Sequence, residues 1–222
     1  QSHQHADLTS VWILDDDEWV TRDPGTGTYN GPLEIRNGFR TSAAHPVWVP
    51  SGQDLLGPHR AFRWERPDVP RGRGQASGEG LDVHAVWHEA FDARVLRVVL
   101  VEGDGVTVVD HLPTRGDGWT MSVPTGPAAA SLVLPDGHRS VTGSDAPFVG
   151  WHSDTYGSWE PSAWRLLTTT GGWVVWGAGE VRQPADSTGD AVHLGDVVLE
   201  VVGDAVTVTR GSVRVECEMP RA

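Results

Sequence analysis

The sequence predicts an all-β protein whose fold class is an antiparallel β-sandwich of about 14 to 16 strands. Its 27 glycines and 15 prolines are spread along the chain, which suits tight turns between short strands better than helices. Segments rich in β-branched and aromatic residues recur between these turns, and none of them has a helical period. Helices therefore do not alternate with the strands, which excludes a parallel α/β fold.

The N-terminal part predicts a hairpin and then a sharp turn. Residues 7–14 and 19–21 are β-branched and aromatic, and the acidic run 15–18 lies between them. The turn follows at 23–25, because proline fixes φ and glycine can adopt positive φ in Asp-Pro-Gly. Asp23 would then lie at the rim of a sheet.

The rest of the chain predicts strands separated by loops. Residues 31–44 have weak periodicity and are interpreted as a loop with a short helical turn, and 67–80 as a surface loop. The strands are predicted at 46–50, 81–90, 94–102, 106–112, 118–122, 129–134, 163–169, 172–178, 196–202, 205–209 and 212–216. We interpret 1–222 as one domain, and we expect it to be a piece of a larger protein because it begins without Met.

Composition narrows the classes of partner. A net charge of −13 in 222 residues argues against nucleic acid and against an anionic membrane surface. An anionic sugar polymer stays possible, since local arginines or another domain could contact it. The single Cys217 excludes an internal disulfide, and there is no apolar run long enough to span a membrane. Localisation is unknown; secretion, the periplasm or the cell surface is expected if an upstream part carries a signal peptide.

Histidines and a carboxylate cluster early in the chain. His3 and His5 form a His-x-His pair that would share one face of an extended segment, and Asp23 and His45 follow. Imidazole nitrogens and carboxylate oxygens are ligands that Zn²⁺ accepts. If His5, Asp23 and His45 hold the metal, His3 is left as a base, because free imidazole titrates near neutrality. Accidental His-x-His spacing and an unstructured terminus are the alternative explanations.

Other polar and aromatic residues have two interpretations each. Tyr29 follows the turn and could present a phenol to the same pocket, or it could pack on the sheet. Arg40 could bind a substrate carboxylate through its paired N–H groups, or it could form a structural ion pair. The aromatic segment 151–164 could be a platform for stacking sugars, although core and rim tryptophans are the more common use of such residues.

Several motifs in order resemble the C-terminal β-domain of the heparinase II/III-like polysaccharide lyases. The resemblance lies first in S-H-Q-H-A-D-L-T-S, D-P-G-T-G-T-Y, F-R-T-S-A-A-H and G-P-H-R-A-F-R-W within the first 64 residues. It continues in R-V-L-R-V-V-L-V-E-G-D-G-V-T-V-V-D-H-L at 94–112 and in S-D-T-Y-G-S-W-E-P at 153–161. It therefore spans most of the chain.

The resemblance implies an enzyme that cleaves uronic-acid polysaccharides by β-elimination. It implies an N-terminal α/α toroid as partner of this domain, an anionic polysaccharide as substrate and a Zn²⁺ that organises the site. His5, Asp23 and His45 match the zinc ligands, and His3 matches the histidine that acts as base or neutralises the substrate carboxylate. The toroid supplies further catalytic groups, so the chain alone is expected to be inactive.

Two positions depart from the family pattern. Gly27 stands where the family often has tyrosine, so any phenolic acid from this domain would have to be Tyr29. Pro46 stands where asparagine usually follows the third histidine.

Two rival functions remain. One is a metal-stabilised carbohydrate-binding or scaffold module without catalysis. The other is a cupin-like metal oxygenase, which is disfavoured because Thr9 stands where that fold would need a glutamate.

Overall fold

The structure is a computed structural model that describes residues 4–60, 63–66, 68–145, 148–203 and 205–218. The first strands are β1 (Ile13–Asp15), β2 (Glu18–Thr21), β3 (Val49–Pro50), β4 (Pro58–Arg60), β5 (Arg63–Trp64), β6 (Arg71–Gly78), β7 (Leu81–Ala90), β8 (Ala93–Glu102), β9 (Gly105–Leu112), β10 (Trp119–Pro124) and β11 (Leu132–Val133). The next are β12 (Arg139–Thr142), β13 (Ser144–Asp145), β14 (Phe148–Val149), β15 (Trp151–His152), β16 (Glu160–Pro161), β17 (Ala163–Thr169), β18 (Gly172–Ala178), β19 (Asp186–Ser187), β20 (Ala191–Leu194), β21 (Val197–Val202), β22 (Ala205–Arg210) and β23 (Val213–Glu218).

Helical structure is limited to short pieces. One α-helix, α1 (Leu33–Gly38), and two 3₁₀ turns, Ser42–Ala44 and Ala129–Ser131, occur among the described residues. The strand pairs of this part of the chain are all antiparallel, so the predicted all-β antiparallel class is confirmed. No helix within the described ranges is long and apolar enough to cross a membrane.

The chain divides into two compact units. Unit 1 comprises Gln1–Val69, Arg115–Ala130 and Asp136–Thr170. Its largest sheet has four strands in the order β12-β17-β10-β3. The same unit contains the two-stranded sheets β1-β2, β4-β5, β13-β14 and β15-β16. Unit 2 comprises Pro70–Thr114, Ser131–Pro135 and Gly171–Ala222.

Unit 2 is a β-sandwich. A six-stranded sheet in the order β11-β18-β9-β8-β7-β6 faces a five-stranded sheet in the order β19-β20-β21-β22-β23. One apolar core joins the two sheets, because alternate residues of each point inward. Its members include Val83, Trp87 and Val98 from the first sheet and Leu199 and Val208 from the second.

The prediction of a surface loop at 67–80 is wrong. β6 occupies Arg71–Gly78 and pairs along its whole length with β7. Its inward positions carry glycine and alanine, so the apolar alternation that signals a strand is missing from the sequence. The small residues are needed, since a Cβ on Gly72 would lie 2.2 Å from Nε1 of Trp87.

Several other predicted strands are shorter in the structure than in the prediction. Within the predicted strand 7–14 only Ile13 and Leu14 pair, and at 46–50 pairing is confined to Val49–Pro50. The predicted strand 129–134 begins as a 3₁₀ turn and pairs only at Leu132–Val133. The described residues form 23 strands, more than the predicted 14 to 16, and many of the extra ones span two residues. Two-residue strands have no periodicity for a sequence to reveal.

Candidate metal centre

His45 is fixed at the end of a 3₁₀ turn, with an extended backbone at φ −131° and ψ 154°. This conformation is the one favoured before proline, so Pro46 helps to orient the histidine. The ring is fully buried, and its Nε2 lies 3.2 Å from the carbonyl oxygen of Phe39. Because a carbonyl can only accept, Nε2 must donate its proton. Nδ1 therefore carries a lone pair, and it has no hydrogen-bond partner among the described residues.

Asp23 faces that lone pair. Its Oδ1 accepts the backbone N–H of Gly25 at 2.7 Å, which fixes the carboxylate on the Asp-Pro-Gly turn. Its Oδ2 lies 3.7 Å from Nδ1 of His45. Two electron-rich atoms thus face each other in a largely buried place, and a cation between them would turn this unfavourable contact into an attractive one.

His5 completes the group. The backbone N–H of Ala6 donates to the carbonyl of Arg40 at 2.8 Å, which ties the N-terminal segment to the chain just before His45. The rings of His5 and His45 have centroids 5.2 Å apart. The ligand atoms of His5, Asp23 and His45 all lie within 4.8 Å of one another.

The donor set fits Zn²⁺. Tetrahedral zinc with bonds of about 2.0–2.1 Å separates neighbouring ligand atoms by roughly 3.3 Å, close to the 3.7 Å between His45 and Asp23. Two imidazoles and one carboxylate are a common zinc set that leaves a fourth position open. The hydrogen bond from His45 to Phe39 is the kind of outer contact that fixes the tautomer of a ligating histidine.

The protonation states agree with this chemistry. Burial, and then the neighbouring His5, lowers the pKa of His45 to about 3, although the Phe39 hydrogen bond opposes the shift. Burial, followed by the charges of Arg36 and Arg40, lowers the pKa of His5 to about 4. Both imidazoles are thus neutral near pH 7 and can donate lone pairs to a metal. Burial raises the pKa of Asp23, and the Gly25 hydrogen bond opposes that rise.

Arg40 lies in the interior of unit 1. It is fully buried, and its Nη1 donates to Oδ1 of Asn37 at 3.2 Å and to the carbonyl of Arg60 at 3.1 Å. Its guanidinium carbon lies 4.1 Å from the ring centroid of Trp64. Burial, and then the charge of Arg36, lowers the pKa of Arg40 to about 10. These contacts are structural, so the predicted binding of substrate by Arg40 stays a prediction.

Tyr29 belongs to an aromatic group near the Asp23 turn. Its ring stacks on that of Tyr156, with centroids 5.5 Å apart and an angle of 23° between the planes. The guanidinium carbon of Arg36 lies 4.7 Å from the centroid of Tyr29. The structure thus surrounds Tyr29 with an aromatic ring and a cation, and its catalytic role stays a prediction.

The structure explains why position 27 is a glycine in this chain. Its φ is +66°, and a Cβ there would lie 2.5 Å from the ring of Phe39. A tyrosine at this position, as the family often has, would need both the backbone and Phe39 to move. The predicted catalytic His3 lies outside the described residues.

Sequence reasoning missed a loop that lies against the Asp23 turn. Ser153 N–H donates to the carbonyl of Pro24, while Nε2 of His152 lies 2.5 Å from Oδ1 of Asp154. Arg22 lies 3.8 Å from the same oxygen of Asp154. The sequence analysis noted segment 151–164 for its aromatic residues and 153–161 for their resemblance to the family, but neither signal indicated a contact with the Asp23 turn. Trp164 is indeed a core residue.

Comparison with known proteins identifies the family. A family described as heparinase II/III-like, C-terminal, matches residues 1–210, nearly the whole chain. A search among curated proteins found no match. The chain therefore belongs to the heparinase II/III-like family, of which it carries the C-terminal domain.

Proposed function

We propose that this chain is the β-domain of a polysaccharide lyase that cleaves uronic-acid polysaccharides by β-elimination. The family match supports the lyase class. In this proposal residues 1–222 act as one domain of a larger enzyme. The substrate is an anionic polysaccharide, and an α/α toroid upstream supplies the remaining catalytic groups. Without the toroid the chain is inactive.

The metal centre carries the proposal. The buried Nδ1 of His45 faces a carboxylate oxygen of Asp23, and a second neutral imidazole, His5, lies beside them. We propose that these three residues hold Zn²⁺. When bound, the ion supplies a fixed positive charge that organises the site. The chain's own contribution is to hold the three donors in place through the Gly25, Phe39 and Arg40 backbone contacts.

The reaction requires balanced movement of protons and electrons. A base takes the proton from C5 of the uronate, the C5–H electrons form the C4=C5 double bond, and the C4–O4 bond breaks. An acid then protonates O4 of the leaving sugar. We propose that His3 acts as the base or neutralises the uronate carboxylate, that Tyr29 is the candidate acid of this domain and that Arg40 contributes to substrate binding.

Metal analysis tests the proposed centre. Natively purified protein is expected to contain about one zinc per chain, and His5→Ala should lose it because one of three donors is gone. His3→Ala should keep the zinc and abolish turnover. His84→Ala, which changes an exposed histidine on β7, is the matched control and should keep both. Loss of zinc from the His3 variant would show that His3 is a ligand and that the proposed division of roles is wrong.

Turnover tests the lyase function. The full-length protein that contains this chain should produce unsaturated uronate, seen by its ultraviolet absorbance, from at least one of alginate, heparan sulfate and hyaluronan. Binding of a polymer without any such product, with zinc and His3 intact, would instead favour the carbohydrate-binding module.

A further inference from the structure

The loop between β15 and β16 touches the turn that carries Asp23. Ser153 N–H donates to Pro24 O at 2.9 Å, and Gly157 N–H donates to Gly27 O at 2.7 Å. A Cβ on Gly25 would lie only 2.1 Å from the carbonyl oxygen of Ser153, so the two backbones are in direct contact. This loop therefore has a fixed position beside the metal centre.

Tyr156 stands at the tip of this loop. The tip is a tight turn, in which Ser158 N–H donates to Thr155 O at 3.1 Å and Gly157 has a φ of +84°. The hydroxyl of Ser153 also donates to Thr155 O. The ring of Tyr156 stacks on Tyr29 and is still 56% exposed. Its outer surface is thus open to solvent while its position is held from behind.

One buried arginine lies against this aromatic pair, while the exposed Asp154 of the same loop is paired with Arg22 at 3.8 Å. Arg36 is buried, and its guanidinium carbon lies 4.7 Å from the ring centroid of Tyr29. The chain as a whole has a net charge of −13. The buried cation beside Tyr29 is therefore opposite in sign to the net charge of the chain, and it favours an anionic ligand nearby.

We propose that the exposed face of Tyr156, backed by Tyr29 and Arg36, is a stacking subsite for one sugar ring of the anionic polysaccharide. The inference rests on the proposed lyase function and adds a substrate-binding residue to it. The C–H face of a sugar ring packs on an aromatic ring, and a rigid Tyr loses little conformational entropy on binding. The buried cation would favour a sugar with a carboxylate or sulfate over a neutral one.

The other exposed aromatic surface is a poor candidate for this role. Trp12 and Trp19 are 43% and 42% exposed, on or next to the β1-β2 hairpin. The turn of that hairpin is acidic throughout, with Asp15, Asp16, Asp17 and Glu18. It would repel a polyanion. Trp12 therefore provides a matched control, an aromatic ring of similar exposure in negative surroundings.

The test measures binding and kinetics of the full-length protein with alginate, heparan sulfate and hyaluronan. Tyr156→Ala should weaken binding of the preferred polymer by about tenfold, and should raise KM by a similar factor with kcat nearly unchanged. Tyr156→Phe should behave as the wild type, because the ring is kept. Trp12→Ala should bind normally, and a neutral glucan should bind at least about tenfold more weakly than the uronate polymer.

The outcomes separate this inference from the lyase function. Normal binding and KM for Tyr156→Ala, in a protein that releases unsaturated uronate, would refute the subsite and leave the lyase standing. Equal loss in Tyr156→Phe would show that the hydroxyl matters and not the ring. If the alanine variant fails to fold, Tyr156→Leu keeps an apolar contact with Tyr29 and should show the same loss of affinity. Binding without any cleavage would refute the lyase but not the subsite.

Discussion

The tautomer of His45 determines what the candidate centre can do. The Phe39 carbonyl takes the Nε2 proton, so the free nitrogen of a fully buried ring points at a carboxylate. Protonating Nδ1 would relieve the contact, but burial keeps the pKa of this histidine near 3. A divalent cation relieves it without a proton, and it would also reverse the rise in the pKa of Asp23.

His88 is a second buried histidine, and it predicts a pH dependence of stability. Neither ring nitrogen has a partner within the described ranges. Burial, and then the charge of Arg97, lowers its pKa from 6.5 to about 4. Between these values the unfolded chain binds more protons than the folded one, so stability falls as the pH drops from about 6.5 to 4. The loss over the whole range is about 3 kcal/mol.

We therefore expect His88→Leu to reduce the acid dependence without abolishing it, because burial also lowers the pKa values of His5 and His45. It should also raise the free energy of unfolding at pH 7 by about 1 kcal/mol, because two unpaired buried nitrogens are removed. Urea unfolding at pH 7.5 and 5 would measure both effects. His84→Leu, at an exposed position on the same strand, is the control and should change stability at pH 7.5 by less than about 0.5 kcal/mol. An acid dependence as steep as in the wild type would show that His88 is not its source.

At the scale of elements, β6 shows how a strand can be hidden in a loop-like sequence. Its inward residues are Gly72, Gly74, Ala76 and Gly78, and their partners on β7 are Trp87, Ala85, Val83 and Leu81. A Cβ on Gly78 would lie 2.7 Å from Val213 of β23. The volume missing from β6 is thus supplied by its neighbours, and the strand is specified by its partners more than by its own composition.

Gly72→Ala tests this explanation. The added methyl group would lie 2.2 Å from Nε1 of Trp87, a core residue, so Trp87 must move. We expect a loss of about 1–3 kcal/mol in the free energy of unfolding, which denaturant unfolding would measure. Gly189→Ala in the same unit meets nothing within 4 Å and should cost less than about 0.5 kcal/mol. Equal effects would mean that β6 is packed more loosely than the structure indicates.

At the scale of the molecule, the candidate metal centre joins distant parts of the sequence. Residues 5, 23 and 45 come from an N-terminal segment, a turn after β2 and the end of a 3₁₀ turn. A ligand that binds only the folded arrangement stabilises the whole fold by mass action. An ion bound at this site should therefore stabilise the N-terminal part of unit 1.

Zinc titration followed by thermal unfolding tests this role. Free zinc at about 100 times its Kd should stabilise the wild type by about 2.7 kcal/mol, seen as a rise in Tm. His45→Ala should show no such rise, whereas His59→Ala, at an exposed histidine in unit 1, should respond as the wild type. A zinc response that survives the loss of His45 would place the ion elsewhere.

Sequence reasoning reached the site residues through pattern and resemblance, and it reached the fold through turns and alternation. The meander of β7, β8 and β9 was predicted almost to its boundaries. Each strand is long, and its sequence is rich in apolar residues because both faces of this part of the sheet are largely buried. β6 was not predicted because its inward residues are glycine and alanine, and the two-residue strands were not predicted because they are too short to show alternation. Tyr156 lies in the aromatic segment 151–164, for which a sugar-stacking platform was one of two interpretations, but the sequence does not show which of its rings are exposed.

The sequence by itself determined the all-β class, because turns and alternation are local properties, and its motifs indicated the family and the candidate donors at positions 5, 23 and 45. Only the tertiary structure decided that His45 offers Nδ1, that Arg40 is buried and that Tyr156 is exposed on a fixed loop beside Asp23. Each of these depends on which distant backbone or ring lies against the residue. Contacts of that kind are made by the fold and have no signal in the neighbouring sequence.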